Sequence, residues 1–345
     1  MTAMAAEIAE QPEAVARTLD ALRPLRGGLA GLAAGARHVL FLARGSSDNA
    51  ATYGRYLCEV QAGRAASLGA PSLATHYRAR TDLSGVLAVA LSQSGETGEI
   101  VDALRWAAER GARTVAVTNA EGSTLARTAE LALVTRAGTE RAVPATKTYT
   151  TQLAALAVLA AALGPDDPAF DAALARAPEA IAGLLDTREA AAALAGELAG
   201  IRGMVVSGRG FAYSTALELA LKLKETCYLT AIGLSHADLE HGPIAVVGPG
   251  TPALLVAAGD GPVLPGMTAL ARSVAERGGR AYGIGGDAAF RGACAATLPG
   301  PALPEPLAPL ALVVPGQLLV EALARRLGFD PDRPRGLTKV TQTGG

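Results

Sequence analysis

The chain has 345 residues, 50% of them hydrophobic and 18% charged, with a formal net charge of -1. That length favours two domains over one, and the near-neutral balance, without a Lys/Arg block, excludes a polybasic nucleic-acid or membrane surface. The three cysteines (Cys58, Cys227, Cys294) form no CxxC and read as reduced thiols of a cytoplasmic protein, while the four histidines form no HExxH or Cys/His cluster, so no metal site is expected.

The start, MTAMAAEIAEQPEA, carries acids and no basic n-region, so it does not read as a secretory leader. Residues 5–22 read as a helix, HVLFLARG (His38–Gly45) as a buried strand, and SSDNAATYGRYLCEVQAG as a loop entering a helix. VLAVA (Val86–Ala90) is a second strand, EIVDALRWAAERG a helix ending at Gly111, TVAVTN a third strand and LALVT (Leu131–Thr135) a fourth. LAALAVLAAAL (Leu153–Leu163) is too short to cross a bilayer, which needs about 20 residues, and reads as a buried helix. Continuous apolar strands alternating with amphipathic helices predict a parallel sheet covered on both faces.

The pattern then recurs. FLARGSSDNAATYGRYLCE, from Phe41, has a partner in VSGRGFAYSTALELALKLK, from Val206; AAERGAR, from Ala107, has one in VAERGGR, from Val274. The expected architecture is two tandem doubly wound parallel-sheet α/β domains: an N-terminal helical segment at 1–24, a first domain at 25–165, a helical linker at 166–194, a second domain at 195–330 and a polar tail at 331–345.

LSQSGETGE (Leu91–Glu99) follows the second strand and leads into a helix. In such sheets ligands bind beyond the carboxyl ends of the strands, and a helix N-terminus favours an anion. Ser92, Ser94 and Thr97 add hydroxyls, Gln93 an amide, and the neighbouring strand ends in Gly45, Ser46 and Ser47. Two Ser-rich ends at one crevice suit a phosphomonoester better than a nucleotide, since no GxxxxGK[ST] is present. The alternative is that these residues only cap helices. The matching second-half loops, GRGFAYS and GDGPV, lack the serine cluster, which capping alone does not explain, so the anion site is assigned to the first half.

These residues, with EIAEQPEA, AGTERAVPATKTYTTQ, ALELALKLKET, HGPIA and PRGLTK in that order, resemble the sugar isomerase (SIS) family. The likeness is to the isomerase part of glucosamine-fructose-6-phosphate aminotransferase, and to the shorter type II glucosamine-6-phosphate deaminases. It implies that Ser46, Ser47, Ser92, Gln93, Ser94 and Thr97 hold a sugar phosphate and that the Val143 backbone touches the sugar. No N-terminal cysteine nucleophile accompanies them, so glutamine-dependent synthesis is not expected.

KLKE places Lys222 and Glu225 three apart on one helical face, where they read either as a solvated ion pair or as a base with its partner. The resemblance makes Glu225 the general base and Lys222 its partner. It makes His241, in LEHGP, the residue that opens the sugar ring, supplied by the neighbouring subunit of a homodimer, and Lys339 the lysine of a tail folded over the sugar. By residue type alone His241 reads as a turn residue and Lys339 as a solvated one. The chain departs from the aminotransferases near the sugar: Ile232 replaces an acid, Glu240 a lysine and Ala145 a serine, and Pro144 stiffens that loop.

The leading expectation is an enzyme that deaminates and isomerises glucosamine 6-phosphate to fructose 6-phosphate. The alternatives are a lyase that dehydrates N-acetylglucosamine 6-phosphate across C2–C3, and a phosphosugar-binding regulator without turnover. None of these needs a metal or organic cofactor.

Overall fold

The computed structural model describes residues 1–339; residues 340–345, the end of the expected tail, lie outside the described residues. The chain divides into two compact units. One comprises Met1–Pro12, Arg141–Thr146 and Arg176–Leu337, the other Glu13–Glu140, Lys147–Ala175 and the stretch from Thr338.

At the N-terminus α1 (Ala3–Ala9) and α2 (Gln11–Leu22) replace the single helix expected at 5–22. Pro12 supplies the reason: it has no N–H to give and its ring would meet the carbonyl of residue 8, so a continuous helix cannot pass through it. After α3 (Arg26–Leu32) the first sheet is built from β1 (His38–Leu42), α4 (Ser46–Val60), β2 (Ala65–Leu68), α5 (Ser72–Thr75), β3 (Val86–Leu91), α6 (Gly98–Glu109), β4 (Arg113–Thr118), α7 (Thr124–Thr128) and β5 (Leu131–Val134). Its strands are all parallel, in the order β2-β1-β3-β4-β5. Leu87 to Leu91 of β3 are wholly buried, as a strand covered on both faces must be. Helix α8 (Lys147–Leu163) is buried at every residue except Ala162, which accounts for its uninterrupted apolar run. Helix α9 (Pro168–Ala175) closes this unit.

The second sheet follows α10 (Ala177–Leu184) and α11 (Arg188–Leu198). It is built from β6 (Gly203–Gly208), α12 (Ala212–Cys227), β7 (Thr230–Ser235), α13 (His236–Glu240), β8 (Ala253–Ala257), α14 (Leu264–Glu276), β9 (Ala281–Gly285), α15 (Ala288–Ala293) and β10 (Ala296–Leu298), followed by α16 (Pro309–Arg326). Its order, β10-β9-β8-β6-β7, repeats the alternation of the first sheet, with the first strand of the unit flanked by the second and third. Helices α10, α11 and α12 pack on α16, so the second half of the expected linker belongs to this unit's core. In both sheets the chain reverses direction beside the first strand, between β1 and β3 and between β6 and β8, which makes the carboxyl ends of those strand pairs the natural ligand crevices.

Candidate active site

The first crevice is lined by hydroxyls that are not spent on capping. The N-cap of α4 is Gly45, in a conformation (φ 58°, ψ -133°) that a side chain would strain, so the helix starts with Ser46 and Ser47 already in its first turn. Ser47 is buried, and its Oγ accepts a hydrogen bond from Gln152 Nε2 of α8 at 3.0 Å. Thr97 is the N-cap of α6, yet its hydroxyl makes no cap bond and lies 3.2 Å from Ser92 Oγ. By contrast, the hydroxyls of Thr2, Ser123 and Ser235 do cap their helices.

The backbone folds the loop tightly around these groups. Gly95 adopts φ 66° and its N–H donates to Ser92 Oγ at 3.2 Å; a Cβ there would lie 2.2 Å from Ser123 Oγ. Ser94 Oγ accepts the Glu96 N–H at 3.2 Å, and the Gln93 carbonyl accepts from Asn119 N–H at 3.1 Å. Arg44 forms a two-pronged ion pair with Glu99, at 3.1 and 2.9 Å, joining the loop after β1 to the first turn of α6. Burial pushes the Asp48 carboxyl above its usual range, partly offset by the Arg44 guanidinium. Glu99 is thus paired and Asp48 hindered from ionising, which lowers the repulsion of these two carboxylates toward an anion. The same unit holds Glu140, fully buried, whose carboxylate accepts from Thr148 N–H (3.1 Å), Thr148 Oγ1 (2.6 Å) and Lys339 Nζ (2.6 Å). Lys339 is thereby fixed, not a solvated tail residue.

The second crevice is different in kind. It is lined by the glycine-containing loop after β6 and the loop after β8, and Glu305 closes it. A Cβ on Gly210 would lie 2.9 Å from Glu305 Oε1, and one on Gly261 would lie 2.0 Å from Oε2. Burial, and then the charge of Asp260, push the Glu305 carboxyl above its usual range.

Helix α12 runs from that loop and carries the acid–base candidates. Lys222 is 1% exposed; its Nζ lies 2.5 Å from Glu225 Oε2 and 3.5 Å from Glu218 Oε1. Glu218 is itself wholly buried, whereas the Glu225 side chain keeps 23% of its surface. Positions i-4 and i+3 on one face produce this three-member set, of which Glu218 escaped the sequence reading. The helix ends in the left-handed Tyr228 (φ 54°), whose hydroxyl accepts the Arg335 N–H at 2.9 Å and whose ring lies 4.6 Å from the Arg335 guanidinium. His241 is the exposed C-cap of α13, its N–H on the Ala237 carbonyl at 3.2 Å, followed by Gly242 at φ 122°.

Val143 sits in a short segment shaped from two sides. Its N–H donates to the Asp332 carbonyl at 2.9 Å, and the buried Glu7 carboxylate accepts the N–H groups of Arg141 and Ala142. The Asp332 carboxylate meanwhile accepts from Ala3 and Met4 N–H, at 2.7 Å each. This explains the acidic EIAEQPEA start: Glu7 holds the 141–142 backbone and Gln11 bonds Gln317 at 2.8 Å. Ile232, on the edge strand β7, is 42% exposed. Among the described residues no group of three or more His, Cys, Asp or Glu could hold a metal ion, and no helix is long and apolar enough to cross a membrane.

The phosphate candidates thus converge on one crevice of one unit, and Lys222 with Glu225 on one helix of the other. The architecture is a tandem of doubly wound domains with a hydroxyl-lined strand-end crevice in the first. The chain belongs to the SIS-domain family, whose model matches residues 33–162 and 197–291. It is 36% identical, over 97% of its length, to glutamine–fructose-6-phosphate aminotransferase [isomerizing] of Methanothermobacter thermautotrophicus, and 35% identical, again over 97%, to that of Pyrococcus horikoshii. It spans 56% and 57% of those two proteins. The isolated C-terminal domain of glucosamine-fructose-6-phosphate aminotransferase from Francisella tularensis superposes with a TM-score of 0.90 at 29% identity, covering 97% of this chain and 98% of that one. A candidate phosphosugar isomerase from Silicibacter pomeroyi gives 0.86 at 34% identity, covering 96% and 100%.

Proposed function

We propose that the chain is a phosphosugar enzyme that converts glucosamine 6-phosphate and water into fructose 6-phosphate and ammonia. The observation that carries the reading is the Lys222–Glu225 contact at 2.5 Å, with the lysine buried and the glutamate partly exposed. A surface ion pair leaves both heads in water; here Lys222 is fixed between two carboxylates and Glu225 faces outward as a proton acceptor. The aminotransferase relatives and the isomerase neighbour support a phosphosugar as substrate.

In this reading the hydroxyls of Ser46, Ser47, Ser92, Ser94 and Thr97, with Gln93, take the 6-phosphate at the starts of α4 and α6. His241, serving the neighbouring copy of a homodimer, moves a proton from O1 to O5 and opens the ring. Glu225, its side chain open to water, takes the C2 proton, exchanges it with solvent and delivers a proton to C1 while the nitrogen gives one up to O1, turning the amino aldehyde into an imine at C2. Water adds there and ammonia leaves. Lys339, held by Glu140, and the Val143 backbone contact the sugar. Glutamine takes no part in this chemistry. In keeping with that, burial pushes the Cys58 thiol up to about 12, and Cys227 and Cys294 up to about 11, so none is an activated nucleophile near neutrality.

A second reading is favoured by Ile232, exposed where the aminotransferases carry an acid, and by Ala145. Apolar groups there suit an acetyl, and an amide nitrogen cannot leave through an imine; the same C2 proton loss then expels the C3 hydroxyl as water. Incubation with glucosamine 6-phosphate and N-acetylglucosamine 6-phosphate separates the readings. Ammonia with fructose 6-phosphate supports deamination, and a product lighter by one water supports the lyase. Binding without either change leaves a regulator and refutes both enzymes.

A further inference from the structure

The turn that carries His241 is too short to hold itself. Helix α13 has five residues, and one helical turn fixes many backbone angles for very few internal hydrogen bonds. Ser235 supplies a local cap: its Oγ accepts the Asp238 N–H at 3.1 Å and donates to the Asp238 carboxylate at 2.6 Å. That cap ties the turn only to itself.

The tie to the rest of the unit is His236. Its side chain is 6% exposed and packs under the first turn of α14, where a Cβ on Gly266 would lie 3.1 Å from the ring Cε1. The ring Nδ1 lies 3.1 Å from Arg209 Nη1, from the loop after β6. The ring Nε2 lies 3.0 Å from Glu240 Oε2, one turn further along α13 and directly before His241. A guanidinium can only donate, so Nδ1 accepts and a proton sits on Nε2, facing the carboxylate. The Nε2 contact is close but not aligned as a hydrogen bond, so it acts mainly through charge.

We propose that Arg209, His236 and Glu240 form a clamp that fixes the position of His241, which makes Arg209 and His236 positioning residues for ring opening. The inference rests on the role given to His241 above. It also gives Glu240 a purpose. The aminotransferases carry lysine there, and in this chain a lysine would put a second cation against the ring that Arg209 already faces. The carboxylate closes a cation–ring–anion series, and the buried histidine transmits the rigidity of the β6 loop to the turn.

Two readouts test it. The first needs no substrate: hydrogen exchange of the His241 amide and its neighbours. His236→Ala should speed exchange across residues 238–241 about tenfold while leaving α12 and β6 protected. Unchanged exchange there overturns the clamp. The second is turnover of the phosphosugar the enzyme accepts. Glu240→Lys and Arg209→Gln should each lower kcat about tenfold with little change in KM, since misplacing a reacting group costs rate more than binding. Combined, they should lose less than the product of the two, because removing the Arg209 guanidinium relieves its repulsion of the introduced lysine. Multiplicative losses, or losses in KM alone, contradict positioning. His241→Asn separates this inference from the one beneath it. If that variant is dead while His236→Ala turns over like wild type, the clamp is refuted and the role of His241 stands. If His241→Asn keeps full turnover, the role of His241 fails, and the functional half of the clamp fails with it.

Discussion

The two sheets share one pattern of strand order and differ at the strand ends. In the first, the crevice beside β1 and β3 carries hydroxyls that leave their helices uncapped; of the carboxylates there, Glu99 is paired with Arg44, Asp48 is held from ionising and Glu96 is bound by Thr124. In the second, the same place beside β6 and β8 is closed by Glu305 with Asp260 nearby, and the reactive-looking groups lie further along α12. On the function proposed above, two scaffolds of one pattern divide the labour by their side chains: one unit grips an anion and the other moves protons. Fold alone does not decide which does what; the side chains at one crevice do.

That division predicts effects of different kinds in the two units. The largest is expected from Glu225→Gln, which should lower kcat by about 10²–10⁴-fold while phosphosugar affinity, read by calorimetry, stays within a few-fold. Next is Thr97→Val, which keeps the shape of the threonine and removes one hydroxyl. It should weaken inorganic phosphate and phosphosugar alike by about tenfold with kcat at saturation nearly unchanged. A loss confined to kcat would put chemistry, not binding, in the first crevice.

Stability variants sharpen the same contrast. Gly95→Ala places a Cβ 2.2 Å from Ser123 Oγ and 2.4 Å from Ser123 Cβ, while Gly261→Ala meets the far end of Glu305 at 2.0 Å. Both residues have positive φ, so each alanine carries a backbone cost of about 1 kcal/mol. Only Gly95→Ala should cost several times that in thermal unfolding and also lose phosphate binding, because Ser123 is fixed as the cap of α7 and Glu305 can swing aside. The smallest effect is on pH dependence. The raised Glu305 carboxyl makes the folded state bind its proton more tightly than the unfolded chain. Its contribution to stability is full below the ordinary value of 4.5 and falls as pH rises toward the folded value. Glu305→Gln should flatten the decline of Tm above pH 4.5. In the first unit Glu96 works with the opposite sign: hydrogen bonds from the Thr124 N–H and hydroxyl lower its carboxyl, so its contribution is lost as pH falls.

Much of this was legible in the sequence, for physical reasons. Buried parallel strands must be apolar throughout, so β1, β3, β4 and β5 stood out, and the match of FLARG with VSGRG and the repeated ERG exposed the tandem. Strand β2 did not, because AASL is a four-residue edge strand without β-branched residues. The interruption between α1 and α2 is signalled in the sequence only by Pro12, a residue that helices also tolerate in their first turn. At the site, residue types marked the serine crevice, whereas partners distant in sequence were invisible. Glu140 and Lys339 are separated by nearly two hundred positions, and Asp332 reaches back to Ala3. Glu218 was within reach, lying four residues before Lys222 on the same helical face.

The central claim is a division of labour on one substrate: hydroxyls of the first unit grip its phosphate, and Glu225 of the second takes the C2 proton. It is tested most directly by incubating the protein with glucosamine 6-phosphate in deuterium oxide and following the label by NMR. The account predicts deuterium at C1 of the fructose 6-phosphate formed by the wild-type chain, none in Glu225→Gln, and slower labelling at limiting substrate in Thr97→Val. Labelling by Glu225→Gln at the wild-type rate would contradict it.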